Sequence, residues 1–140
     1  MEPIRRELTI DATEGNLAAA QEFVESVISG TDCPMKTQMM ISLAVEEIFI
    51  NIASYAYAPK TGEATITAEL QDHSSMLVLT FRDRGIPYDP VAKEDPNLHV
   101  PVEEREIGGL GIYMTKKIMD AVLYEYRDGQ NILTLKKNLV

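Results

Sequence analysis

The sequence predicts an α/β chain of the α+β kind, a two-layer sandwich in which a mixed, mainly antiparallel sheet carries helices on one face. Three observations predict it. Segments that alternate apolar and polar residues come in two pairs, Glu63–Gln71 with Ser75–Arg82 and Ala121–Tyr126 with Ile132–Lys137, each joined by a short polar turn. Such pairs read as hairpins, which an all-parallel sheet cannot contain. Two stretches of helical periodicity separate an N-terminal strand from the first hairpin, so the order is β-α-α-β-β-loop-α-β-β, and the apolar helix faces need a sheet to cover. Finally, 140 residues with 45% hydrophobic content can bury one core without disulfides or metals, so residues 1–140 read as a single domain.

Each element follows from local chemistry. Ile4, Leu8 and Ile10 share one side of a strand over Ile4–Ile10, and DATEGN turns the chain. LAAAQEFVESVI, Leu17–Ile28, has helical spacing and stops at Ser29-Gly30. TDCP opens the next helix, with Pro34 suited to a first turn, and the helix continues through MKTQMMISLAVEEIFINIASYAY until Pro59. Met35, Met39 and Met40 read as core or packing surface. KTG and DHSS bound the first hairpin's strands. Pro87–Arg105 is rich in Pro, Asp and Glu and has no period; loops of that length in compact domains are usually functional lids or disordered. GGLG leads into a short helix, Ile112–Met119, and RDGQN turns the last hairpin. His73 and His99 read as isolated surface residues, Tyr88 and Tyr113 as packing residues.

Composition excludes several function classes. The chain has 13 basic and 22 acidic residues, a net charge of −9. That argues against direct nucleic-acid binding and against anionic membrane surfaces, both of which call for basic patches. MEPIRRELTI has no apolar signal core, and no apolar run is read as long enough for a membrane span. The one cysteine, Cys33, has no internal partner and no CxxC or Cys/His companion, which fits a reduced compartment. A cytoplasmic setting is expected.

Three short patterns carry chemistry. On the long helix, at about 100° per residue, Gln38, Ser42 and Glu46 share one face and Glu47, Asn51 and Ser54 another. Glu47 and Asn51 are four apart, which puts their side chains about 5–6 Å from each other. An amide oxygen suits a hard cation such as magnesium, and a carboxylate can take a proton from a hydroxyl. A half-exposed helix edge with a Glu–Asn hydrogen bond explains the same residues. In FRDRGIPYDP, Asp83 stands where a strand stops, as a turn former or as a reader of a ligand. In IGGLGIYMTKK, Gly108, Gly109 and Gly111 precede a helix, as a hinge or as a backbone cradle for phosphate, with Lys116 and Lys117 further along. The segment is neither a P-loop nor a dinucleotide fingerprint.

Taken in order, LAVEEIFIN, DRGIPYDP and GGLGIYMTKKIMD resemble the N, G1 and G2 boxes of the GHKL ATPases, the superfamily of DNA gyrase, histidine kinases and mismatch-repair proteins. The G-x-P-[FY]-D-P and GGLG-[IL] forms are similar to the anti-sigma regulatory factor branch, small serine-protein kinases that bind sigma factors. The resemblance runs from about Leu8 to Lys137 and implies a Bergerat ATP-binding fold, a histidine-kinase-like ATPase domain over the whole chain. It implies that Asp83 accepts a hydrogen bond from the adenine amino group and that Gly85 lets the purine lie against the backbone. Asn51 would ligate Mg2+, and Glu47, rather than Glu46, would act as general base. Gly108, Gly109 and Gly111 would wrap the phosphates of ATP, with Pro87, Leu110 and Lys116 completing the nucleotide set and residues 90–107 forming an ATP lid. The implied function is a serine/threonine-protein kinase that phosphorylates an anti-sigma antagonist and sequesters a sigma factor in transcription regulation. The alternative is a non-catalytic, ATP-gated protein-binding module. A homodimer through the first strand and first helix belongs to the same resemblance.

Overall fold

The computed structural model describes residues 4–90 and 109–140, with residues 109 and 110 described by their backbone. The strands β1 (Ile4–Asp11), β2 (Glu63–Gln71), β3 (Met76–Asp83), β4 (Ala121–Arg127) and β5 (Gln130–Asn138) form one sheet in the order β1-β2-β3-β5-β4. The helices are α1 (Leu17–Ile28), α2 (Met35–Asn51) and α3 (Gly109–Ile118), with a π-helical turn, Ile52–Ala56, prolonging α2.

Every pairing among the described strands is antiparallel, in line with the mainly antiparallel sheet expected and with no parallel pair among them. The connections explain this. Between β1 and β2 the chain runs out through α1 and back through α2, so β2 begins at the end of the sheet where β1 stopped. The crossover through α3 does make β4 run parallel to β3, but β5 lies between them and pairs with both.

One side of the sheet is sealed by the helices. Ala64, Ile66, Ala68 and Leu70 of β2, Leu77, Leu79 and Phe81 of β3, and Leu133 and Leu135 of β5 alternate into the core. They meet Val24, Val27 and Ile28 of α1 and Ile41, Val45, Ile48 and Phe49 of α2. The other face carries threonines in register, Thr67 beside Thr80 beside Thr134, and Arg82, which donates to Glu7 at 2.9 Å and to Thr67 at 3.3 Å.

Met35–Ala56 is, at 22 residues and mean hydropathy 1.4, long and apolar enough to cross a bilayer, contrary to the expectation that no run reaches that length. Here α2 is a core helix: one arc packs under the sheet while Glu46 and Glu47 lie on another. The methionines divide between the core and the surface. Met40 packs on the core, but Met35 and Met39 are exposed at 69% and 62%, one helical turn apart on the arc that faces away from the sheet. Cys33 is buried, and burial pushes its thiol above the ordinary value despite an opposing Lys137 charge.

Two hairpin turns are read from their backbone. Asp128 and Gly129, both with positive φ (55° and 77°), make a two-residue turn of the type that suits strand twist. The strands therefore extend inward to Arg127 and Gln130, further than the alternation alone predicts. Asp72, His73 and Ser74 turn the other hairpin in the same left-handed region. At the far end of the sheet, Lys137 donates to the Ile118 carbonyl at 2.7 Å, capping α3 and tying it to β5.

Candidate functional site

The helix-facing side of β3 and β5 ends in two polar residues rather than two apolar ones. Asp83, the last residue of β3, and Asn131, the second of β5, are direct cross-strand partners, and they are 7% and 6% exposed. Above them the end of α2 and the π turn leave a cavity that opens to solvent. Its walls are apolar: Ile48, Ile52, Ala56, Phe81 and Leu133. Its polar side chains are Asn51, Asp83 and Asn131, with Tyr55, Tyr88 and Tyr124 also in the lining. An apolar slot with a small convergent polar set is what a planar heteroaromatic ligand requires.

Asp83 is held on both sides. Its Oδ1 accepts from the Gly85 N–H and from Asn131 Nδ2, each at 2.9 Å. The turn that follows is pinned to the π turn, because the Ile86 N–H donates to the Ala56 carbonyl at 2.9 Å. The approach is so close that a Cβ at Gly85 would stand 2.2 Å from that carbonyl oxygen. A π turn at a binding pocket is a recurrent arrangement. Here it widens the helix end and sends the Ala56 carbonyl toward β3. On the outer side, the Tyr57 hydroxyl donates to the Glu63 carbonyl at 2.6 Å and accepts from the Arg84 N–H at 2.8 Å. Burial pushes the Tyr57 phenol above its usual value, partly offset by the Arg84 N–H.

The second half of the site lies where α2 meets α3. Asn51 Nδ2 donates to Glu47 Oε1 at 3.0 Å, so the i,i+4 spacing does bring the two together. Asn51 lines the Asp83 cavity, whereas Glu47 lines a separate groove with Leu43, Glu46, Ile50, Gly111, Met114, Thr115 and Ile118. The pair thus links the two spaces. The first turn of α3 presses on the carboxylate: a Cβ at Gly111 would lie 2.0 Å from Glu47 Cδ. A glycine is required there for α3 to approach Glu47 this closely.

These residues fit a magnesium–nucleotide. Among the described residues no group of three His, Cys, Asp or Glu side chains could hold a cation by itself. With its Nδ2 committed to Glu47, Asn51 offers Oδ1, one neutral ligand, in keeping with Mg2+ ions that take most of their ligands from phosphates and water.

The other expected residues fall as follows. Pro87 is exposed and follows the pinned turn. Gly109 and Gly111 lie inside α3 rather than before it, because the helix starts at Gly109 and not at Ile112. Lys116 stands in the last turn of α3. Leu110 is described by its backbone only; Gly108 and residues 91–107 of the expected lid lie outside the described residues. Glu46 is exposed and lines the same groove as Glu47, but the hydrogen bond to Asn51 is made by Glu47. Tyr88 lines the cavity, and Tyr113 carries Lys117 Nζ at 5.4 Å from its ring centre.

Sequence reasoning missed Asn131 and Tyr124. Asn131 Nδ2 also donates to the Ile86 carbonyl at 2.8 Å, while its Oδ1 accepts from the Tyr88 N–H at 3.1 Å and from the Tyr124 hydroxyl. Burial raises the Tyr124 phenol above its ordinary value, so it remains a donor at neutral pH. The signal was present: reading Asp-Gly as a complete two-residue turn places Asn131 inside β5, opposite Asp83.

A five-stranded antiparallel sheet with helices on one face, a buried aspartate at a strand end and a Glu–Asn pair above it define a histidine kinase-like ATPase domain. The profile of that family matches residues 10–137, and the chain belongs to it. Among its relatives, the serine/threonine-protein kinase BtrW of Bordetella bronchiseptica is 29% identical over 129 residues, covering 92% of this chain and 89% of BtrW. The serine-protein kinase RsbW of Bacillus cereus is 29% identical over 100 residues, covering 69% of this chain and 61% of RsbW. The structure of the RsbU and RsbW domains of Rv1364c from Mycobacterium tuberculosis superposes with a TM-score of 0.67 at 16% identity, over 99% of this chain and 33% of that one, and shares the fold.

Proposed function

We propose that the chain is an ATP-dependent serine-protein kinase of the anti-sigma type. It phosphorylates a small antagonist protein on a serine or threonine and sequesters a sigma factor when unopposed. The observation that carries this reading is the continuity of the site: the buried Asp83 closes a cavity whose other polar wall, Asn51, is hydrogen-bonded to Glu47 beside the first turn of α3. The names of BtrW and RsbW support the phosphoryl-transfer part.

Bound there, Mg-ATP supplies the transferable phosphoryl group, and the chain's residues position and neutralise. Asp83 takes the N–H of the 6-amino group, Gly85 lets the purine lie flat against the turn, and the apolar walls exclude water from the base. Asn51 Oδ1 would hold the cation, and the backbone N–H groups at Gly109 and Gly111 would be available to the phosphates. Glu47, fixed through Oε1, would take the acceptor hydroxyl's proton as that oxygen bonds to the γ-phosphorus and the bond to the β,γ-bridging oxygen breaks, with ADP leaving. Lys116 adds positive charge from the last turn of α3. We place the protein in the cytoplasm, as a homodimer. A second reading, an ATP-gated binding module without transfer, is favoured by one contact. Because α3 rests on Glu47, a ligand entering between them shifts α3 and its exposed Met114.

Incubation with radiolabelled Mg-ATP and candidate antagonists decides between them. Glu47→Gln is expected to lose transfer by about 10²–10⁴-fold while ATP still stabilises the fold. Undiminished transfer removes Glu47 from the mechanism; ATP binding without transfer to any antagonist supports the gated module.

A further inference from the structure

We infer that Asn131 is a positioning residue that makes Asp83 a single-acceptor reader of the base, a role that rests on the nucleotide reading above. The orientation of its amide follows from chemistry. The Tyr88 backbone N–H, 3.1 Å away, can only donate, so the atom facing it is Oδ1. That turns Nδ2 toward two groups that can only accept, Asp83 Oδ1 at 2.9 Å and the Ile86 carbonyl at 2.8 Å. The Tyr124 hydroxyl gives its proton to the same Oδ1 and accepts from the Tyr88 N–H at 3.2 Å. Both hydrogens and both lone pairs of the amide are thereby engaged.

The consequence falls on Asp83. Its Oδ1 already accepts from the Gly85 N–H and from Asn131, so both of that oxygen's lone pairs are occupied. No hydrogen bond from a described residue reaches Oδ2. A ligand entering this apolar cavity meets one fixed acceptor and no competing donor from Asn131. A 6-amino purine satisfies it. A 6-oxo purine sets oxygen against oxygen, and a purine with no substituent leaves the acceptor unpaired. Remove Asn131 and the carboxylate keeps only the Gly85 anchor; it turns about its own axis and admits water, so the 6-amino donor replaces a water contact instead of pairing a fixed, dry acceptor and gains little.

The test uses the whole chain with Mg-ATP and with the Mg-salt of purine riboside triphosphate, which lacks the 6-amino group. Calorimetric affinities are measured for the wild type, Asn131→Leu, Asn131→Ala and Tyr124→Phe. Removing the amino group is expected to weaken binding to the wild type about tenfold to a hundredfold. In Asn131→Leu that ratio collapses to within about threefold of unity, while the unsubstituted purine binds nearly as it does to the wild type. Tyr124→Phe, which strips one donor from Oδ1, gives an intermediate ratio. A merely structural Asn131 would weaken both ligands together and leave the ratio intact; that pattern in folded variants overturns the inference. Asn131→Ala and Tyr124→Phe carry the comparison if Asn131→Leu does not fold. A wild type that binds neither triphosphate at millimolar concentration refutes the nucleotide reading itself, whereas equal discrimination by wild type and variants refutes only the role of Asn131.

Discussion

Two alanine substitutions, at Gly85 and Gly111, separate what holds the fold from what performs the chemistry. At Gly85 the new Cβ would meet the Ala56 carbonyl oxygen at 2.2 Å, its carbon at 2.5 Å and the Ala56 Cβ at 2.6 Å, all far inside the 3.4 Å at which ordinary contact begins. These are mostly backbone atoms of the π turn, and they cannot swing aside. Overpacking of this kind costs about 1–3 kcal/mol. Parting the turn from Ala56 also forfeits the Ile86 N–H hydrogen bond, about 1 kcal/mol more. A loss of about 2–4 kcal/mol in a chain of this size lowers the melting temperature by roughly 8–15 °C. At Gly111 the clash is as short, 2.0 Å, but the atoms are the far end of the Glu47 side chain. Glu47 can rotate away, the Asn51 bond at 3.0 Å breaks, and the better helix propensity of alanine offsets about 1 kcal/mol of the cost. Gly111→Ala should therefore melt within about 4 °C of the wild type yet lose phosphoryl transfer. Thermal unfolding of both variants, followed by a transfer assay, checks this. A Gly85→Ala protein as stable as the wild type, or a Gly111→Ala protein as damaged as Gly85→Ala, refutes the reasoning.

Further outcomes are expected. Gly129→Ala places a side chain at φ 77° in the last hairpin turn and should cost about 1–2 kcal/mol without touching ATP affinity, measurable by denaturant unfolding. Lys137→Met removes the cap on the α3 carbonyl end at 2.7 Å and should destabilise by about 1 kcal/mol in the same experiment. Stability should also decline at alkaline pH. The folded-state phenols of Tyr57 and Tyr124 are raised, so the folded chain holds protons that the unfolded chain releases. Their contribution is complete below the unfolded value, about pH 10, and is lost as pH rises through the folded value. Melting curves between neutral pH and pH 11 should show the decline, and it should shrink in Tyr57→Phe; an unchanged decline contradicts the assignment.

Much of this architecture was legible because it is written in local chemistry. Leu17–Ile28 was read with its structural bounds, since its apolar spacing and its Ser-Gly stop agree. The first hairpin was read to within a residue, and Asp83 was placed at the end of β3, because alternation stops where Asp-Arg-Gly begins. The parts that were not legible depend on tertiary contacts. Nothing in IASYA marks a π turn; its last carbonyl, that of Ala56, is paired with the Ile86 N–H, a contact that exists only in the folded chain. The α2 sequence is apolar nearly all round, so only the position of the sheet decides that Ile41 and Val45 are buried while Met35 and Met39 are exposed. GGLG reads as leading into a helix at Ile112, yet α3 begins at Gly109, and Gly111 packs against Glu47 in its first turn. Asn131 was hidden by one turn read too long.

The central claim is that Asp83 reads an adenine base, and calorimetric titration of the wild type and Asp83→Asn with Mg-ATP and Mg-GTP tests it most directly. The expected result is binding of ATP but not GTP by the wild type, with ATP binding abolished in Asp83→Asn although the variant remains folded. Equal affinity for the two nucleotides, or an Asp83→Asn protein that still binds ATP as the wild type does, would contradict it.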